Sequence, residues 1–204
     1  MSALTPPHLI LASASPRRAE LLRHAGIPFT VIVSPTDEPE RKPPLIPTDL
    51  WPTCLAYLKA TAVQKQIKNQ KSKTKNPHPL ILAADTIVVH DDRIINKART
   101  RTHARHILSA LSGKTHHVIT GLCLLQGTDV RLTRAIATVH FKKLSPHHLT
   151  AYLDSNLWKG KAGAYGIQDN QDPFATLVSG EITTVIGLPI PLLQQELATF
   201  PTSG

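Results

Sequence analysis

Between Leu80 and Val89 the chain is apolar at every position except Asp85 and Thr86. Residues 80–84 are short enough to be a buried strand, ending at Asp85-Thr86 before Ile87-Val88-Val89 resumes the run. A carboxylate in that setting is tightly constrained. Burying an unpaired charge is costly, so Asp85 must lie at the strand's mouth, hold a metal, or pair with a cation.

The segments around this run alternate between strand and helix. Leu9-Ile10-Leu11-Ala12 reads as a short buried strand, followed by Ser13-Ala14-Ser15 and a helix beginning at Pro16. Ser15 suits the N-cap, Pro16 the first helical position and Gly26 the end, with Leu21, Leu22 and Ala25 as the inward stripe. Arg17 and Arg18 then fall in the first turn, against the helix dipole. Either a bound anion accounts for them, through N–H groups and guanidinium forks converging on phosphate oxygens, or they are two exposed arginines.

Residues 29–33 read as a further strand, and a helix is expected from about Thr48 to Ile67 with Leu55, Leu58 and Val63 inside. Asp91-Asp92 is a turn signal, with the run to Lys97 as the returning arm of a hairpin. Ala104, Ile107, Leu108 and Leu111 recur at helical spacing and close at Gly113. Residues 118–125 and 130–141 read as long strands joined through Gly127-Thr128-Asp129. Ser145-Pro146 opens another helix, with Leu149, Tyr152 and Leu153 inward. Residues 161–168 are small and glycine-punctuated, as where backbone approaches a ligand closely. Val185-Ile186-Gly187-Leu188-Pro189 reads as a strand or turn before a terminal helix carrying Leu192, Leu193 and Leu197. Hairpin and crossover connections together predict an α/β fold with a mixed β-sheet and flanking helices, as one domain over residues 1–204.

An apolar fraction of 41% and a charged fraction of 18% argue against wholesale disorder. No stretch approaches the roughly 18 apolar residues of a membrane span, and residues 1–7 lack a secretion-signal pattern, so the expected location is the cytoplasm and no membrane partner is expected. Cys54 and Cys123 fit no metal or redox spacing and read as reduced thiols. The formal charge of +9 could serve a polyanion, nucleotide or nucleic acid, or simply solubility. Much of it lies in Lys65, Lys68, Lys71, Lys73 and Lys75, which read as a solvated helix end and linker, with nucleic-acid contact as the lesser reading. His116-His117 and His147-His148 invite a metal reading, but adjacent residues point to different sides of a strand or helix, which favours solvent-facing or network histidines.

Taken together, Ser13-Ala14-Ser15-Pro16-Arg17-Arg18, Ala84-Asp85-Thr86, Leu111-Ser112-Gly113-Lys114-Thr115-His116, the segment 161–168 (KAGAYGIQ) and Gly187-Leu188-Pro189 resemble the Maf family of nucleotide pyrophosphatases, in the family's order and over nearly the whole chain. The resemblance implies an elongated two-lobed α/β fold with a central cleft, dependence on a divalent cation (Mg2+ or Mn2+), and hydrolysis of nucleoside triphosphates to monophosphates and pyrophosphate. Arg17, Thr86 and Gln168 are similar to the dTTP/UTP-cleaving branch rather than the branch acting on 7-methyl-GTP, and a homodimer is the assembly it favours. The chain departs from the pattern at Lys97-Ala98-Arg99-Thr100-Arg101, where a lysine-proline pair followed by an acid is usual, and at Thr184, where asparagine is frequent.

On that resemblance Asp85 is expected to be the general base, deprotonating a water in line with the α-phosphorus either directly or while also helping to hold the metal. Glu38 is the expected second metal carboxylate, with Asp37 as its competitor. Ser15, Arg17, Arg18, Lys59, Lys97 and Lys161 are expected to hold the triphosphate. Gln168 and Thr86 can donate and accept hydrogen bonds at the edge of a pyrimidine, which is selectivity rather than catalysis. The alternatives are a pyrophosphatase for 7-methyl-GTP or other modified nucleotides, and a nucleic-acid-binding or cell-division regulatory protein without turnover, with nucleic acid the less expected partner.

Overall fold

Three largely apolar strands set the frame: β1 (Leu9–Leu11), β2 (Phe29–Val31) and β3 (Leu80–His90). β1 pairs in parallel with both others, Leu11 lying opposite Val31 on one side and Leu82 on the other. The computed structural model describes residues 9–37, 39, 41–69, 78–168 and 174–201. Parallel neighbours require helical crossovers, supplied by α1 (Pro16–His24) between β1 and β2 and by α2 (Trp51–Asn69) before β3. A short 3-10 turn, Thr48–Leu50, precedes α2.

Downstream come β4 (Arg93–Ile95), α3 (Arg101–Leu111), β5 (Thr115–Gln126), β6 (Asp129–Phe141), α4 (Pro146–Asp154), β7 (Ala175–Ser179), α5 (Ile182–Ile186) and α6 (Ile190–Thr199). Among the described residues the strands form one mixed sheet of seven in the order β2-β1-β3-β5-β6-β7, with β4 paired to β3. β3–β4 and β6–β7 are antiparallel. Asp91 and Asp92 both take positive φ, 48° and 59°, the left-handed pair that a two-residue hairpin requires. The chain divides into two compact units, one of Met1–Asp85, Thr120–Arg134 and Gly187–Gly204, the other of Thr86–Ile119 and Ala135–Ile186.

In the first unit β1 and β3 are buried on both faces, so successive residues feed two different cores. Leu9, Leu11, Leu80, Leu82 and Ala84 pack with Leu22 of α1 and with Leu188 and Leu193. Ile10, Ala12, Ile81 and Ala83 pack instead with Ala56, Ala60 and Val63 of α2. α1 ends in a glycine-terminated Schellman motif: Gly26 sits at φ 67°, its N–H bonds the Arg23 carbonyl, and the Ile27 N–H bonds the Leu22 carbonyl. α2 lies very close to β5 at its start, because an added Cβ on Gly121 would sit 2.2 Å from the Thr53 backbone nitrogen.

The second unit is built around aromatic rings. Phe141 meets His116, Tyr165 and Phe174 edge to face, at centroid distances of 5.0, 4.6 and 5.1 Å. Ala104, Ile107, Leu108 and Leu111 of α3 and Leu149 and Leu153 of α4 close over this cluster. Both helices begin with a side-chain cap, Thr100 accepting from the His103 N–H and Ser145 from the His148 N–H.

Several expectations are corrected. β3 does not end at Asp85-Thr86; it runs through them as one 11-residue strand. Leu58 is on the outer side of α2, and the inward position goes to Lys59, because the stripe that fits the sheet is Leu55, Ala56, Lys59, Ala60 and Val63. Ser15 occupies the N-cap of α1 but makes no side-chain capping bond. Val185 and Ile186 are helical, and β7 carried no strand reading in the sequence. Lys71, Lys73 and Lys75 lie outside the described residues.

Two measurements check this packing. Gly121→Ala forces a methyl group into the backbone of α2, and is expected to destabilise the protein by about 2 kcal/mol or more in urea unfolding; an unchanged midpoint would contradict the close approach. Burial, followed by the neighbouring His90, His117 and His140, lowers the pKa of His116 from 6.5 to about 4. Between those values the unfolded chain binds a proton that the folded one does not, so stability rises with pH across that window and is lost on acidification. The melting temperature of the native protein should therefore fall more steeply over this range than that of His116→Phe; parallel slopes would refute the assignment.

Candidate active site

The alternation along β3 decides where its carboxylate goes. Ile81 and Ala83 face α2, and Asp85 continues that parity onto the same side. Lys59, two turns beyond Pro52 on the inward stripe of α2, points back at it, with Nζ 2.5 Å from Asp85 Oδ1. Both residues are buried, at 9% and 8% exposure. The residues clustered on that side are small: Ala56 and Ala60 on the helix, Ala83 on β3 and Ala12 just after β1. Of the three roles open to Asp85 from sequence, pairing with a cation is the arrangement seen, in mid-strand rather than at a mouth. Truncating one partner of such a buried pair leaves an uncompensated charge, costing roughly 3–5 kcal/mol.

The loop between β1 and α1 follows directly from the β1–β3 pairing, which the Ala12 N–H extends by bonding the Leu82 carbonyl at 2.8 Å. Ser13 is buried, and its Oγ accepts from the Ser15 N–H at 3.2 Å and from Arg18 Nη1 at 3.1 Å. Arg18 Nε donates to the Gly187 carbonyl at 2.8 Å. Arg18 thus ties the loop to the turn that delivers the fully buried Leu188 into the core. The first turn of α1 contains no acid, and Ser15 and Arg17 are half-buried there. Helix N–H groups and guanidinium donors in one turn form an arrangement suited to phosphate oxygens.

Within the first unit the structure therefore gathers Ser15, Arg17 and Arg18 on one loop and turn, and joins Lys59 to Asp85. In the second unit, Lys97 is exposed and forms an antiparallel bridge with Ala162, next to Lys161. The departure from the family pattern after Lys97 is where Thr100 caps α3. Thr86 is half-buried in β3, and Gln168 is exposed. Glu38 lies outside the described residues, and its competitor Asp37 is exposed.

Sequence reasoning gave Ser13 no role and left His116 between a solvent-facing and a network reading. Ser13 was legible as the first serine of a Ser-Ala-Ser turn, in which a hydroxyl accepts an N–H two residues on. His116 shares a side with the buried Val118 and Thr120, and its Nε2 hydrogen-bonds the Tyr165 hydroxyl at 2.8 Å while His117 faces outward. His147 and His148 are exposed. Burial of Cys123 raises its thiol pKa to about 12, which keeps it an unreactive core residue.

Among the described residues, no three His, Cys, Asp or Glu side chains come together as a metal-binding group. Asp85 nonetheless offers a hard oxygen donor, and Mg2+ is commonly held by one or two carboxylates with substrate phosphates and water completing its shell. The donor chemistry fits a cation bound together with its substrate.

Comparison with known proteins finds relatives over nearly the whole chain. The family model described as Maf-like protein matches residues 8–200. A dTTP/UTP pyrophosphatase of Bacillus anthracis is 38% identical over 195 residues, covering 94% of this chain and 95% of the relative. Proteins of the same name from Symbiobacterium thermophilum (38% over 192 residues, 94% and 93% covered) and Exiguobacterium sibiricum (36% over 197 residues, 97% and 94% covered) align over similar lengths. With a match spanning both units from β1 to α6, the chain belongs to the Maf family.

Proposed function

We infer that this protein is a nucleoside triphosphate pyrophosphatase that hydrolyses the α–β phosphoanhydride bond of dTTP and UTP to the monophosphate and pyrophosphate. The observation that carries the reading is the buried Asp85, paired with Lys59 in a strand that lies beside the cationic loop following β1. Near-full-length relatives named dTTP/UTP pyrophosphatase support the same substrate class.

In the proposed reaction, water oxygen bonds to the α-phosphorus, the bond from that phosphorus to the bridging oxygen breaks, and pyrophosphate leaves. The Asp85 carboxylate receives the water's proton. Lys59, donating to Oδ1, fixes the orientation of the carboxylate. Ser15, Arg17 and Arg18, with Lys97 and Lys161, hold the phosphates and offset charge developing on the leaving group. Arg18 contributes chiefly by bracing the loop, since it is bonded to Ser13 and Gly187. A Mg2+ or Mn2+ ion held by Asp85 and Glu38, when bound, would supply further neutralisation at the phosphate oxygens. Gln168 and Thr86, with Arg17, are proposed to select the base.

We also propose that residues 1–204 act as one functional domain, that the protein works in the cytoplasm, where nucleoside triphosphates are made, and that it assembles as a homodimer, as the family resemblance favours. No described helix is long and apolar enough to cross a membrane.

Asp85→Asn retains a hydrogen-bond acceptor for Lys59 while removing the base. Pyrophosphate release from dTTP with Mg2+ is expected to fall by about a hundredfold or more, with an unchanged far-UV spectrum; near-native turnover would remove Asp85 from the mechanism. Gln168→Glu should alter the ranking of a panel of common and modified triphosphates more than the maximal rate, and an identical ranking would count against its role. The same panel run with Mg2+, Mn2+ and chelator tests the cation requirement.

A further inference from the structure

The segment carrying Lys161 and Gln168 contains backbone that does not hold itself in place. Gly163 and Ala164 both take left-handed conformations, φ 69° and 59°. For alanine that geometry is unfavourable, and it persists only where the surroundings over-determine it. Ala164 is fully buried, and its N–H closes a tight turn onto the Lys161 carbonyl at 3.1 Å. An added Cβ on Gly163 would meet the Val88 side chain at 3.0 Å and the Tyr165 ring at 3.1 Å, so the turn is pressed against both.

Two attachments pin this turn. On one side Ala162 bridges to Lys97. On the other, Tyr165 is packed edge to face against His116 and Phe141, and its hydroxyl shares a 2.8 Å hydrogen bond with His116 Nε2. His116 comes from β5, a long strand at the centre of the sheet order, and is 1% exposed. Desolvation keeps its imidazole neutral at physiological pH, so the bond is neutral and insensitive to ordinary changes in proton concentration. Ile167 packs against the same core, leaving Gln168 three residues from the Tyr165 anchor and one from Ile167.

We propose that the His116–Tyr165 hydrogen bond is a positioning lock for base selection: it fixes the strained turn at Gly163-Ala164, and so the place from which Gln168 reads the nucleobase. His116 and Tyr165 are positioning residues that act through Gln168. The inference rests on the reading of this chain as a pyrimidine triphosphate pyrophosphatase with Gln168 at the base. A bond that only supported the fold would affect all substrates alike; a lock that sets a polar side chain against a ring edge affects most the discrimination between a 4-oxo and a 4-amino pyrimidine.

The test compares kcat/KM for dTTP and dCTP in the native protein, Tyr165→Phe, the double variant His116→Phe/Tyr165→Phe, and Gln168→Ala, with melting temperatures measured in parallel. Tyr165→Phe keeps the ring and removes the hydroxyl. The double variant also removes the stranded imidazole and carries the test should the single one not fold. The preference for dTTP over dCTP is expected to fall by about fivefold or more in both, with kcat for dTTP changing less than the ratio. A lowered melting temperature with an unchanged ratio would overturn the lock. If Gln168→Ala shifts the ratio and the lock variants do not, the inference alone fails. If Gln168→Ala also leaves the ratio unchanged, or the native protein releases no pyrophosphate from either nucleotide, the functional reading fails with it.

Discussion

The ion pair between Lys59 and Asp85 is the constraint around which the first unit is arranged. Neither charge could be buried alone: one unpaired ion in a low-dielectric core costs several kcal/mol, comparable to a large part of a domain's whole stability. The surrounding choices serve that pair. The same side of the sheet is clustered with alanines of α2, of β3 and of the position just after β1, and Gly121 lets the start of the helix settle onto β5. With the helix at that depth, the ammonium arrives at the carboxylate instead of stopping short in hydrocarbon.

Much of this was readable before any coordinates. The conspicuous acid in the apolar run, the proline after Ser15, the glycine closing α1 and the two-aspartate hairpin each follow from local rules about burial, caps and left-handed turns. Lys59 and Leu58 mark where local rules failed. Hydrophobic periodicity assigned the inward place to leucine, because nothing in the window around it records that a carboxylate waits 26 residues further on. The same holds for His116, whose neighbours alone do not reveal that Tyr165, 49 residues downstream, will offer it a hydroxyl. Arg18 read well as a cation near a helix start, yet its long-range bond to the Gly187 carbonyl is a tertiary event that spacing cannot encode.

The two units solve the problem of holding functional groups differently. The first uses a charge pair inside aliphatic packing. The second uses aromatic rings meeting edge to face, with one histidine held neutral among them. Charge in the first unit suits chemistry on phosphate, where protonation and polarity matter. Stiff, uncharged contacts in the second suit the base-reading role proposed for Gln168.

The strict division of β3 between two cores has an evolutionary corollary. Leucines of one parity belong to the side shared with α1, and Asp85 belongs to the other. Inserting or deleting one residue upstream of Asp85 within the strand would turn its carboxylate into the leucine-lined side, away from the Lys59 ammonium. Lineages can therefore exchange aliphatic residues along this strand far more freely than they can change its length, and the spacing from Leu80 to Asp85 should drift more slowly than the identities within it.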